Sequence, residues 1–269
     1  MATVNRRWRR IARPAGALAA LLGVALTGRP AAGQAPDPFS LDATRTKQYA
    51  NCMAMARKTP KRAHDEALAW REAGGGNAAL HCIAVALLQM GDHDQAARQM
   101  EELAGAVDET RPALRAALLG QAANAWLIAG NPAAAEAALD RALDLDPHAV
   151  TLRIDRGIAR ASRGHVWEAL DDLNRALELD PDRVDALVFR AAAWRRTGSL
   201  DLAVEDANRA LVLAPDDLDA LLERGAIRRA KGDEAAARAD WLRVIELAAE
   251  GPLREAARRN LETMDVKPD

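Results

Sequence analysis

Proline recurs at Pro147, Pro181 and Pro215, at a constant interval of 34 residues. Each proline closes a near-copy of one phrase: ALDRALDLDP, DDLNRALELDP, VEDANRALVLAP. A fixed period of this length with two helix-like halves specifies stacked helical hairpins, in which each unit buries its apolar side against the next. The residue before a proline avoids helical geometry, so the second helix of each unit must stop there.

The period aligns four units at 116–149, 150–183, 184–217 and 218–251. Glycine ends the first helix of each, at Gly130, Gly164, Gly198 and Gly232, where a left-handed backbone is easiest without a Cβ. Small residues recur as Ala123, Gly157, Ala191 and Gly225 in the first helix. In the second they recur as Ala135, Ala169, Ala203 and Ala237, then Ala142, Ala176 and Ala210, with Val244 in the last copy. They let two helices approach closely. The apolar share is 49% but aromatics are only 3%, so the core must be built from Ala, Leu and Val, which suits close helix packing.

These columns resemble the tetratricopeptide repeat family over 116–251. The resemblance implies an all-α fold, a right-handed superhelical solenoid of stacked antiparallel helix pairs. It also implies a non-enzymatic role in holding proteins or peptides. The column that is often tyrosine in that family holds Trp126, Arg160, Trp194 and Arg228, which predicts unusual packing there. Less regular hairpins are expected over 43–110, and a segment near 111–115 breaks their phase with the regular array. Residues 252–269 are expected to supply a capping helix and a tail.

The N-terminus has the layout of an export signal. Arg6, Arg7, Arg9, Arg10 and Arg13 precede an uncharged run from Pro14 to Gly28, and Ala31-Ala32-Gly33 offers small residues for cleavage. Residues 1–33 are therefore read as a signal peptide and 34–42 as a flexible linker. The expected location is periplasmic or secreted, with membrane contact only through an uncleaved leader. Taking the six arginines of the leader from 37 basic residues leaves 31 against 39 acids, a net charge near −8. That balance argues against nucleic acid as a partner.

Cys52 and Cys82 fall on two successive first helices, which lie side by side in such a stack. In an oxidising compartment they are expected to form a disulfide. Two free buried thiols, or a metal site with His81 and His64, are the alternatives. The close cysteine pair usual for zinc is missing.

Arg156, Arg190 and Arg224 share a first-helix column, and Asp172, Asp206 and Asp240 share a second-helix column. The unit at 116–149 has Ala122 and Ala138 in these places, so arginine and aspartate come and go together. A structural Arg–Asp pair between helices explains this. The rival is pairing within one helix, Asp172 with Arg175 and its two repeats.

For a partner, the first-helix columns that the family turns toward its inner groove are the candidates. They include Asn124, Ile158, Ser162, Arg195, Arg196 and Arg229, a groove apolar early and basic late, suited to an acidic segment or a C-terminal carboxylate. The family's clamp for chaperone C-termini needs lysine and asparagine at fixed columns. Only Asn124 fits, so that activity does not carry over. Trp167 is a candidate contact anchor on the edges or convex face, the surface that a structural or assembly subunit would use. The chain has no HExxH and no phosphate-binding glycine–lysine loop, and no serine sits in a nucleophile elbow. Neither catalysis nor a cofactor is expected.

Overall fold

The computed structural model describes residues 43–265. The expected leader (1–33), the linker (34–42) and the end of the tail (266–269) lie outside them. All regular structure among the described residues is helical: α1 (Ala43–Lys58), α2 (Pro60–Trp70), α3 (Gly76–Met90), α4 (His93–Ala106), α5 (Pro112–Ala129), α6 (Pro132–Leu145), α7 (Val150–Arg163), α8 (Val166–Leu179), α9 (Val184–Thr197), α10 (Leu200–Leu213), α11 (Leu218–Ala230), α12 (Glu234–Leu247) and α13 (Pro252–Asp265). Consecutive helices pack as hairpins, α1 with α2 through α11 with α12, and α13 packs on α12. The fold is an all-helical set of stacked helix pairs.

The described chain forms two compact units that part between Pro147 and His148. In the first, α1 to α6, the core includes Trp70, Ala78, Ala79, Ile83 and Leu87. In the second, α7 to α13, Ala191, Ala203, Ala207 and Ile227 form part of the core, and each first helix also touches the next.

The turn glycines Gly130, Gly164, Gly198 and Gly232 have φ between +83° and +92°. Asp92, Asn131 and Asp233 cap the helices that follow such turns, each accepting a hydrogen bond from the backbone N–H three residues on. The small-residue columns are buried where hairpins close: Ala135, Ala169, Ala203 and Ala237 have no exposed surface.

Two irregularities have local causes. Helix α5 runs for 18 residues where α7, α9 and α12 run for 14. The segment near 111–115 is thus an added turn of helix, begun at Pro112. Between α2 and α3 the chain kinks at Arg71–Gly75, where Gly74 has φ +87°. A Cβ on Gly75 would lie 2.7 Å from the Trp70 ring, so the glycine lets that indole close the kink.

Candidate functional site

Within the second unit the repeats carry a row of ionic contacts. Arg156 Nε and Nη2 donate to Asp172 Oδ2 and Oδ1 at 2.9 and 2.7 Å. Arg190 grips Asp206 at 2.8 and 2.7 Å, and Arg224 grips Asp240 at 3.0 and 2.7 Å, in the same bidentate way. The three carboxylates are buried, and the second helix of each pair is thereby fixed to its first. Removing one partner would strand a charge at a cost of about 3–5 kcal/mol. The within-helix rival is not what forms: Arg175 pairs with Glu178, Arg209 with Asp182, and Arg243 with Glu246 and Asp216.

The structure adds partners that the column pattern did not assign. Arg160 and Arg228, which stand where tyrosine is usual, donate to Asp172 and Asp240, both at 2.8 Å. Arg190 and Arg224 also reach the preceding hairpin, at Asn174 Oδ1 (2.9 Å) and Asn208 Oδ1 (3.2 Å). The asparagines share one column of the period, so the signal was present in the sequence.

The candidate groove residues sit on the first helices, but the late, basic end is not a set of open charges. Arg195 pairs with buried Glu223 across to α11, at 2.5 Å. Burial opposes the Arg195 charge, and Glu223 more than offsets this, so its pKa is raised. Arg196 donates to the Ala161 carbonyl at 2.6 Å, tying α9 to α7. Arg229 donates to Thr263 Oγ1 and to the Thr263 carbonyl on α13. Each of these three arginines thus also joins neighbouring helices. Ile158 is buried, and the Ser162 hydroxyl donates to the Ile158 carbonyl at 2.8 Å.

In the first unit the equivalent face is better suited to a ligand. Tyr49 (α1), His81 (α3) and Gln121 (α5) form a polar chain across three first helices. Tyr49 Oη lies 2.5 Å from His81 Nδ1, and His81 Nε2 lies 3.4 Å from Gln121 Oε1. A glutamine oxygen only accepts, so Nε2 carries the proton and Nδ1 accepts from the tyrosine. Burial lowers the His81 pKa and raises that of Tyr49 to about 12, so both stay neutral. Asn124 follows Gln121 by three residues and Ile128 follows by seven, on one stripe of α5. Asn124 is half-buried with no hydrogen-bond partner among the described residues, and Ile128 is 41% exposed.

Cys52 and Cys82 are joined in a disulfide that ties α1 to α3. Neither thiol is left for a metal, and no group of three or more metal-binding side chains occurs among the described residues. Trp167 is 63% exposed on α8, whereas Trp241 is buried and donates to the Leu222 carbonyl. Trp126 is buried and donates to Glu101 at 2.9 Å.

Stacked helix pairs with aligned first helices define a helical-repeat protein of the kind that presents a face to partners. Comparison with known proteins narrows the class. Residues 83–150 and 126–194 match models of the tetratricopeptide repeat, so the stretch from 83 to 194 carries repeats of that kind. No curated protein matches it. Among solved structures it is similar to TTC0263, a thermophilic tetratricopeptide-repeat protein of Thermus thermophilus, at 18% identity and TM-score 0.58, over 70% of this chain and all of that one. It is similar to MamA of Desulfovibrio magneticus RS-1 at 21% identity and TM-score 0.54, over 64% of this chain and 94% of that one. It is also similar to YrrB, described as a tetratricopeptide-repeat protein with an unusual peptide-binding site, at 17% identity and TM-score 0.50, over 72% and 96%. At these identities the likeness is one of fold.

Proposed function

We propose that this chain is a non-enzymatic interaction scaffold of the cell envelope that holds a peptide or partner helix on the face made by successive first helices. The observation that carries this reading is the stripe Gln121–Asn124–Ile128 on α5. An unpartnered amide offers both a donor and an acceptor, which matches a peptide backbone, and the exposed isoleucine one turn away offers an apolar contact. The Tyr49–His81–Gln121 chain holds the three helices in fixed relation, so the face is organised before a partner arrives. A peptide is also the ligand class described for YrrB. An acidic partner would have to share Arg195, Arg196 and Arg229 with the contacts they make within the fold.

Support for an envelope location comes from the leader-like first 33 residues and from the Cys52–Cys82 bond, since disulfides persist in oxidising compartments. An assembly subunit working through its outer surface is the second reading, and the exposure of Trp167 favours it.

The test is a crosslinked pull-down from the cell envelope with wild type and the Asn124→Ala/Ile128→Asp variant, with circular dichroism confirming the fold. A partner held by wild type and lost by the folded variant is the expected result. Equal capture by both would move the site off this face.

A further inference from the structure

The outer side of the second unit holds a surface that the first-helix face does not use. Trp167 projects from the first turn of α8 and is 63% exposed. Its one ring contact is edge-on to Trp194, at 6.3 Å between centroids and 78° between planes. Trp194 packs in turn on the cluster of Ala191, Ala203, Ala207 and Ile227, beside Val204. The exposed indole is therefore steadied from below and open above. Exposed Leu202, on α10, adds apolar surface in the next hairpin.

Acidic residues neighbour this indole along its own helix and recur on the second helix of the next repeat. Trp167 and Asp171 lie one turn apart on α8, and Glu168 follows Trp167 on the adjoining side of the helix. The 34-residue period puts Glu205 of α10 in the Asp171 column and Asp201 in the Trp167 column. Asp201 is paired with Lys231. Glu168, Asp171 and Glu205 are exposed, and their side chains have no ion-pair or hydrogen-bond partner among the described residues. Farther along the same helices the charges are matched, Arg175 with Glu178 and Arg209 with Asp182. On α8 the two carboxylates without a side-chain partner, Glu168 and Asp171, thus lie within about one turn of the open tryptophan, and Glu205 repeats the Asp171 position on α10.

We propose that this face of α8 and α10 docks a cationic protein segment, with an arginine or lysine head over the Trp167 indole and Glu168, Asp171 and Glu205 around it. A cation over an indole face gains from the ring quadrupole, and guanidinium also stacks on it. The acids steer the segment in and balance its charge. An anionic or purely apolar partner would leave these carboxylates opposed or desolvated. The proposal stands apart from the first-helix reading, because it shares no residue with it.

The probe is a fluorescein-labelled arginine–glycine peptide, titrated into the full chain by fluorescence anisotropy, beside a citrulline–glycine peptide that lacks the charge. The arginine peptide should bind and the citrulline peptide should not. Trp167→Ala should weaken binding by about 3–30-fold, the range of a cation–π contact. Glu168→Gln/Asp171→Asn/Glu205→Gln should weaken it at least tenfold. Asp94→Asn/Glu109→Gln/Glu262→Gln removes the same charge from residues outside the proposed face and should leave binding within about twofold. Equal losses in the two triple variants would mean diffuse attraction and would overturn the proposal. So would binding that ignores Trp167→Ala. If the chain alone self-associates in sedimentation and Trp167→Ala abolishes it, the occupant is a second copy and the cationic segment falls.

Discussion

Asp219 stands in the first turn of α11, half-buried and close to two other carboxylates. Burial raises its pKa to about 6, and Asp217 and Glu223 add to the rise. The helix dipole favours an acid there by about 0.3–1 kcal/mol, less than burial removes. The folded state holds the Asp219 proton more tightly than the unfolded chain does. Below pH 4 both are protonated and nothing is lost. Between about pH 4 and pH 6 the unfolded chain ionises first, and stability falls as pH rises. Above pH 6 the full penalty remains. Asp219→Asn is thus expected to stabilise the protein by about 1–2 kcal/mol at pH 7.5, after discounting for solvent, and by little at pH 4. Urea denaturation of both proteins at the two pH values checks this; equal gains at both would remove the ionisation account. Glu223, unlike Asp219, has Arg195 to balance it, a pairing that sequence reasoning did not find. The signal was the column Gln121, Asp155, Phe189, Glu223, polar in three of four repeats and therefore unlike a core column. Its meaning was hidden because the partner sits on another helix, in a column with no such regularity.

At the scale of the helix, the period and its small residues led directly to hairpins that close on alanine. The repeats nevertheless differ in how each hairpin is filled. Gly157 faces Leu173, and a Cβ there would meet Leu173 Cγ at 3.1 Å. Gly225 faces Trp241, and a Cβ there would overlap the indole nitrogen. The last hairpin keeps the glycine of that pair and sets a tryptophan where the leucine stands. Gly225→Ala should cost about 1–3 kcal/mol through overpacking, despite the better helix propensity of alanine. Shrinking the indole should recover much of that loss, so Gly225→Ala combined with Trp241→Leu is expected to show a favourable coupling in a double-mutant cycle. Additive effects would mean that the two side chains do not compete for one space. The glycine column was legible in the sequence as a site of close approach. Which helix approaches, and with how large a side chain, depended on pairing α11 with α12 residue by residue. The added turn of α5 was legible only as a break in phase.

At the scale of the whole chain, the two compact units are secured by different means. The unit of α7 to α13 repeats one ionic contact through successive hairpins, so each copy reinforces the same fit of first helix to second. The unit of α1 to α6 lacks that series and is less regular in sequence. Its first helix buries little beyond Cys52 and Ala56. What holds α1 is the bond to Cys82 together with Tyr49 on His81. The bridge closes a separation of 30 residues, for which chain entropy gives about 3–4 kcal/mol. That stabilisation belongs to the end of the unit rather than to every hairpin, since local opening draws on local contacts. Cys52→Ala/Cys82→Ala is therefore expected to raise amide hydrogen exchange in α1 and α2 by about two orders of magnitude, the equivalent of ~3 kcal/mol. Exchange in α7 to α12 should change little. Reduction of the wild type should give the same map. A uniform rise through both units would instead mean that the bond stabilises the chain as one cooperative whole, and an unchanged α1 would mean that packing on α2 and α3 holds it without the bond.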